Sequence, residues 1–513
     1  LSEEDISVNE ANAAFELFLA RPQKEVNGLV PDGTELQALR DLYESTGGDN
    51  WTSQTDADPT NDWPRTALEW EAITSMDQIT GWHGVVLVSG DVTELNLNDN
   101  NLINHIPENI GNLSELVKLR LEGNQLEGGV PNSVFDLTQL SHLYLQNNQL
   151  SGPIPDQFDQ IPQLKYIKLN DNAFTGGVPS SMASLNSLTH LNLANLDLTV
   201  GPIPDWIRNK TQLNGLLLGG TNRVGTIPTW WNELVNLEIL DLAFNNLEGS
   251  VPSELGNLTN LTQFYVHDNA SVTEVKTFSN IPDTVQIQRC GLDFSSIEQF
   301  LNADGTPKPV HQFLYSPQNS SDSLVQIDAF LNESITVQNS RVGGTNTLYQ
   351  WEEWNGTTWV NVDGQNSANL NLPIINLDDD GRRFRCKMTN TLITGMTLYS
   401  EEYVIQVIIQ QTFYAIADGN WSDPNIWSLT EDGPSDARVP TRFDDVQIGN
   451  YQIEVTENVD CREVNISASS NTGLLVSGRE AKLTVNGEVI ILNQGAVENK
   501  IVQVTNGGTI ECK

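Results

Sequence analysis

The sequence predicts a mainly β, multidomain chain: a parallel solenoid with a helical cap, followed by two smaller all-β regions. Three observations predict it. From Val92 to about Asn260 the text repeats in blocks of 24 residues, with one step of 25. From 310 to 410 short alternating runs appear, such as SLVQIDAF, TTWVNV and FRCKMTN. From Thr412 onward short β-rich runs are split by glycine, as in GLLVSG and KLTVNGEVIIL.

The repeats begin at Val92, Leu116, Leu140, Leu164, Leu188, Leu213 and Leu237. In the unit from Leu116 to Gln139, Leu119 and Leu121 alternate with polar residues and so share one side of a short strand. One such strand cannot bury its apolar face, but a stack of them can. Asn124 follows the strand, where its amide can satisfy backbone groups that no sheet ladder reaches. Gly128 permits a tight bend, and Pro131 fixes φ where the chain re-enters an extended run. Prolines recur in step at Pro107, Pro131, Pro155, Pro179, Pro204, Pro228 and Pro252.

This frame of Leu-x-x-Leu-x-Leu-x-x-Asn-x-Leu-x-Gly-x-Val-Pro resembles the leucine-rich repeat family. The subtype is that of plant receptor ectodomains and polygalacturonase-inhibiting proteins, and the resemblance covers roughly Thr34 to Leu301. It implies a right-handed curved solenoid with a parallel sheet on its concave face, and a binding role without catalysis.

Residues 1–33 read as a polar N-terminal extension. Residues 34–91 read as the cap of the solenoid. Leu36, Leu39, Leu42 and Tyr43 fall at helical spacing after Thr34, and Gly47-Gly48 stops the helix. The segment resembles the family's N-terminal cap but lacks its cysteine pair, so packing of Trp51, Trp63, Trp70 and Trp82 must hold it. Residues 92–260 carry the seven repeats, and 261–304 a degenerate repeat and C-terminal cap, before a Gly/Pro linker.

Residues 310–410 predict a sandwich. YQWEEW followed by DDDGRRFRCKMTN resembles an immunoglobulin-like domain. Trp351 would be its core tryptophan; Phe384 and Cys386 stand at the corner-tyrosine and second-cysteine positions, and the first cysteine is absent. Residues 411–513 predict stacked β-rungs or a small sandwich. They resemble modules appended to large secreted proteins of the Bacteroidetes, and the rhythm suggests continuation past Lys513.

Among 513 residues, 67 are acidic and 26 basic, a net charge of −41. Nucleic acid and anionic membranes need a basic face, so neither is expected as a partner. The plainest reading of the charge is a hydrated surface suited to high ionic strength. No apolar run reaches transmembrane length, so no membrane insertion is expected. Four scattered cysteines without a C-x-x-C argue against zinc; Cys461 and Cys512 could pair within the last domain, which the sequence leaves open. No hydrolase, metalloprotease, phosphate-loop or dinucleotide motif occurs, so no enzyme activity and no cofactor is expected. Calcium is the exception: Asp56, Asp58 and Asp62 are weak candidate ligands, and a solvated acidic loop is the simpler explanation.

The strand residues flanking the leucines form two columns on the concave face. They bring together Lys118, Arg120, His142, Tyr144, Tyr166, Lys168 and His190, a basic and aromatic patch in an acidic chain. Charge and stacking there suit an acidic peptide or an anionic sugar. A secondary flank candidate is Trp206 with Trp230, at equivalent sites after their prolines and so expected to be neighbours. Repeats five and six also hold Leu196 and Thr221 in place of the ladder Asn, an extra residue near Thr199, and Arg223 at an apolar position.

The expected function is a secreted or cell-surface recognition or adhesion protein that binds a protein or polysaccharide. Two alternatives are a surface-layer or filament component, and a polysaccharide-targeting region of a larger carbohydrate-active enzyme. Oligomeric state is left open by the sequence.

Overall fold

The computed structural model describes residues 33–55, 63–73, 76–308, 312–316, 318, 323–341, 343–431, 433–435, 438–449 and 451–466, together with strands at 473–477, 482–485, 489–491, 502–505 and 509–512. Asp56, Asp58 and Asp62 and the extension before Gly33 lie outside these residues. The chain divides into two compact units. The first holds the residues up to 320 with 342–347 and 389–398.

The first unit opens with a helix, Gly33–Ser45. Its Tyr43 joins Trp51, Trp63, Trp70 and Trp82 in one aromatic cluster with ring centroids 5.0–6.4 Å apart. All five rings are buried, so indole packing occupies the place of the missing cysteine pair.

Repeats two to seven each then contribute one three-residue strand, and repeat one the strand Asp91–Asn96, paired in parallel along one long sheet. Glu94, Lys118, His142, Tyr166, His190, Gly215, Ile239 and Gln263 stand in register down one column. Asn96, Arg120, Tyr144, Lys168, Asn192, Leu217, Asp241 and Tyr265 form the other. The leucines between them point inward and are fully buried from Leu119 through Leu240. This is the period-2 expectation met at every repeat.

Behind the strand runs the asparagine ladder. Asn148 donates through Nδ2 to the carbonyls of Leu121 (2.9 Å) and Leu145 (3.1 Å), and its Oδ1 accepts from Leu126 N–H at 3.0 Å. Asn124, Asn172, Asn245 and Asn269 repeat the pattern. One side chain thus ties the backbone of its own repeat to that of the repeat before it.

A second regularity has no counterpart in the leucine frame. The residue before each ladder position has positive φ: Asp99, Gly123, Asn147, Asp171, Asn195, Gly220, Phe244, Asp268 and Arg289, all between 50° and 71°. Its N–H donates to the next repeat, as Gly123 to Gln146 O (3.0 Å) and Phe244 to His267 O (2.9 Å). Gly, Asn and Asp are the residues that tolerate this conformation.

The solenoid's second parallel sheet is discontinuous. Strands Ile103–Asn104, Gln125–Gly128, Gln149–Pro153 and Ala173–Thr175 form one set, and Val224–Thr226, Asn246–Val251 and Ser271–Val275 another. A lone bridge, Gly201 to Arg223, spans the gap. The gap falls at repeat five, where Leu196 replaces the ladder Asn and the extra residue enters.

In the second unit, strands Leu324–Phe330, Glu402–Ile408, Arg383–Asn390, Thr347–Trp354 and Trp359–Asn361 lie side by side in that order, with Ile335–Val337 paired to Leu370–Leu372 elsewhere. Trp351 is fully buried and donates to Ser367 O at 3.1 Å. Phe384 and Cys386 are also buried, and burial pushes the Cys386 thiol up to about 12. Beyond Thr412 the strands cycle through three sheets, parallel except where Thr412–Ala415 pairs antiparallel with Trp427–Ser428. Asp445–Ile448, Gln452–Val455 and Asn458–Cys461 make one rung, Glu463–Ile466, Gly473–Ser477 and Lys482–Val485 the next, and Val489–Ile491, Val502–Thr505 and Thr509–Cys512 a third. Cys461 and Cys512 both align with Val485 from opposite sides. Their Cα atoms are therefore two strand spacings apart, about 9.5 Å, which is beyond the reach of a disulfide.

Candidate functional site

The long sheet of the first unit carries two side-chain columns on its outward side, and the patch expected there is brought together. Tyr166 is sandwiched between His142 (4.5 Å) and His190 (4.7 Å), with interplanar angles of 14° and 16°. The 24-residue period puts these rings at strand spacing, so they stack along the sheet. Tyr166 is only 7% exposed and serves as the middle ring, with its faces covered, in place of the open contact area expected from the sequence. Hydroxyls orient the outer rings: His142 Nδ1 lies 2.7 Å from Ser141 Oγ, and His190 Nδ1 lies 3.1 Å from Thr189 Oγ1.

In the adjacent column Tyr144 lies between two cations. Arg120 sits 5.3 Å and Lys168 Nζ 5.1 Å from its ring centroid. These contacts hold the charges over an aromatic face. The patch is less basic than its composition suggests. Lys118 pairs with Glu94 at 2.9 Å, and Arg120 Nε donates to Glu122 at 2.9 Å. Burial, and then the nearby Lys118 charge, holds His142 down to about 3, so it is a neutral ring at pH 7. Glu94 precedes Lys118 by one repeat in the same column, and Glu122 lies just past the strand of Arg120.

Trp206 and Trp230 lie on adjacent short helices, Asp205–Asn209 and Trp230–Glu233, and their rings make different contacts. Trp206 lies under Lys210 Nζ at 5.8 Å, and Trp230 packs on Trp231 at 4.6 Å. Among the described residues no ring contact joins Trp206 to Trp230. Trp231, fully buried, fills the core position, and Trp230 beside it is half-buried. Among the described residues no group of three or more His, Cys, Asp or Glu side chains is placed to hold a metal ion. No helix among them is long and apolar enough to cross a membrane.

The sequence reading missed a second concavity, further along the same sheet. The position two before the ladder residue holds Glu122, Gln146 and Asn170 in repeats two to four, but Ala194, Gly219 and Ala243 in repeats five to seven. Three small residues in succession leave a hollow of about 270 Å³. Asp241, Phe244, Tyr265 and His267 line it. The signal was present as a column of small residues, but it needed the register to be visible.

The repeat geometry agrees with comparison to known proteins. A family model described as Leucine Rich Repeat matches residues 91–113, 139–161 and 236–258. The chain thus carries leucine-rich repeats, and the parallel solenoid is their structure. A comparison with curated proteins gives no match. Among solved structures, the chain is similar to the ectodomain of the Arabidopsis thaliana membrane receptor kinase GASSHO1/SCHENGEN3 in complex with CASPARIAN STRIP INTEGRITY FACTOR 2, at 22% identity and a TM-score of 0.34; the match covers 43% of this chain and 32%, about a third, of that one. It is similar to a plant ice-binding protein at 21% identity and a TM-score of 0.40, over 52% of this chain and 89% of that one. It is also similar to a leucine-rich repeat protein of Leptospira interrogans at 22% identity and a TM-score of 0.34, over 46% of this chain and 67% of that one.

Proposed function

We propose that this is a non-catalytic recognition protein acting outside the cell or at its surface. The outward columns of repeats two to five bind an extended ligand bearing carboxylates, an acidic peptide or an anionic glycan. The two smaller regions, one immunoglobulin-like and one a three-sided β-helix, carry the binder. The observation behind this reading is the juxtaposition of the His142–Tyr166–His190 stack with Tyr144 between Arg120 and Lys168. Such a surface is rigid, since its rings are already ordered by stacking and hydroxyl contacts, so little entropy is lost on binding. Its cations stand out in a chain of net charge −41.

The test is to screen acidic peptides and anionic glycans, then to measure the best binder against the double variant Arg120→Glu, Lys168→Glu. Binding should be lost with the melting temperature nearly unchanged, and wild-type affinity should fall as salt rises. Unaltered binding by the double variant rejects this surface.

A further inference from the structure

The hollow over repeats five to seven differs from the rest of the sheet in three ways. It is carved by Ala194, Gly219 and Ala243, where earlier repeats carry longer polar residues. Its wall is Phe244, the single aromatic in the positive-φ column, at φ 53°, and 56% exposed. A bulky ring in this conformation and in solvent is unfavourable on both counts, so its neighbours must hold it there. It packs edge-on against His267 at 4.8 Å. His267 Nδ1 in turn lies 2.6 Å from Asp268 Oδ2, and Arg289 donates to both oxygens of that carboxylate.

The third feature is the floor. Asp241 stands in the same column as Arg120, Tyr144 and Lys168, three strands beyond Lys168 or about 14 Å away. One carboxylate oxygen accepts the Ala243 N–H at 2.9 Å. The other lies over Gly219, where a Cβ would sit 2.8 Å from it. No Lys or Arg pairs with Asp241 among the described residues, whereas the carboxylates of Glu94, Glu122 and Asp268 all have such a partner. Burial alone raises its pKa, which an incoming cation would reverse.

We propose that this hollow is a second recognition site, which takes the cationic side chain of an arginine or lysine in a peptide. Asp241 is its counter-ion, and Phe244 and His267 supply aromatic walls against which the cation and its alkyl stem pack. This site is independent of the carboxylate-binding reading of repeats two to five and uses none of its residues.

The experiment titrates the full chain with N-acetyl-arginine amide and with its citrulline counterpart, which is nearly isosteric and neutral. Ligand-observed NMR and calorimetry read the binding. The arginine compound should bind saturably and at least tenfold more tightly than the citrulline compound. Asp241→Asn should lower that affinity at least tenfold. Gly219→Ala, which puts a methyl against the carboxylate, should also weaken it. Melting curves of both variants establish that the fold is intact. No saturable binding, equal binding of the two compounds, or unchanged binding by Asp241→Asn overturns the proposal. Because no acidic ligand is used, its failure is distinguishable from failure of the first site.

Discussion

Repeats two to four and repeats five to six solve one problem with different chemistry. In the first set the amides of Asn124, Asn148 and Asn172 satisfy turn carbonyls and N–H groups one repeat after another. In the second set the amide is absent. Leu196 is an apolar plug, and Thr221 reaches one carbonyl, Leu218 O, at 2.6 Å. Arg223, only 3% exposed, serves other carbonyls of these turns: its guanidinium donates to Thr221 O (2.8 and 3.0 Å), Thr199 O (2.5 Å) and Pro202 O (3.3 Å). The backbone bonds beneath the outward face continue unbroken through both sets, from Leu169 to Asn192 O and from Leu193 to Leu217 O. Where the amide is lost, a hydroxyl keeps one ladder bond and a buried guanidinium ties the irregular turn beside it.

Removing the substitute donor is the strongest way to break this comparison. Arg223→Ala should lower unfolding free energy by about 2–4 kcal/mol, because it leaves carbonyls unpaired and opens a cavity. Chemical denaturation checks it, and Arg223→Met separates volume from hydrogen bonding. A loss under about 1 kcal/mol would mean that repeat five is held by its apolar contacts alone.

In the regular set, Asn148→Ala should cost about 1–3 kcal/mol by the same denaturation assay. A loss near zero would show that water replaces the amide and that the ladder is ornamental in this chain.

The two sets should also differ in their response to acid. His142 belongs to the regular set, and its folded pKa lies near 3 against about 6.5 unfolded. The unfolded chain therefore binds the proton first as pH falls. The stability from this group is whole above pH 6.5 and declines below it, by up to about 1.4 kcal/mol per pH unit. His142→Phe keeps a ring in the stack and should flatten the stability slope between pH 6.5 and 5. An unchanged slope would assign the acid sensitivity elsewhere.

Smaller effects sharpen the contrast in the positive-φ column. Phe244→Gly should raise stability by about 1 kcal/mol by relieving backbone strain, measured as an upward shift in melting temperature. Asn195→Ala, which loses one exposed bond to Asp171, should cost about 0.5–1 kcal/mol, less than Asn148→Ala. Equal losses from Asn195 and Asn148 would contradict the phase of repeat five.

The sequence by itself determined the solenoid's period, the inward leucines, the ladder positions and the membership of both outward columns. These follow because a side chain's face is dictated by alternation along a strand, and a constant period carries that face from repeat to repeat. The aromatic cap could also be read, since four tryptophans in a cysteine-free segment have little else to pack on. What only the tertiary structure decided depends on neighbours one repeat away. The ion pair of Glu94 with Lys118, the covered faces of Tyr166 and the different partners of the Trp206 and Trp230 rings are set by lateral contact. The hollow beside Asp241 has the same origin. Alanine and glycine at Ala194, Gly219 and Ala243 are unremarkable one by one, and become a cavity when the sheet stacks them about 4.8 Å apart.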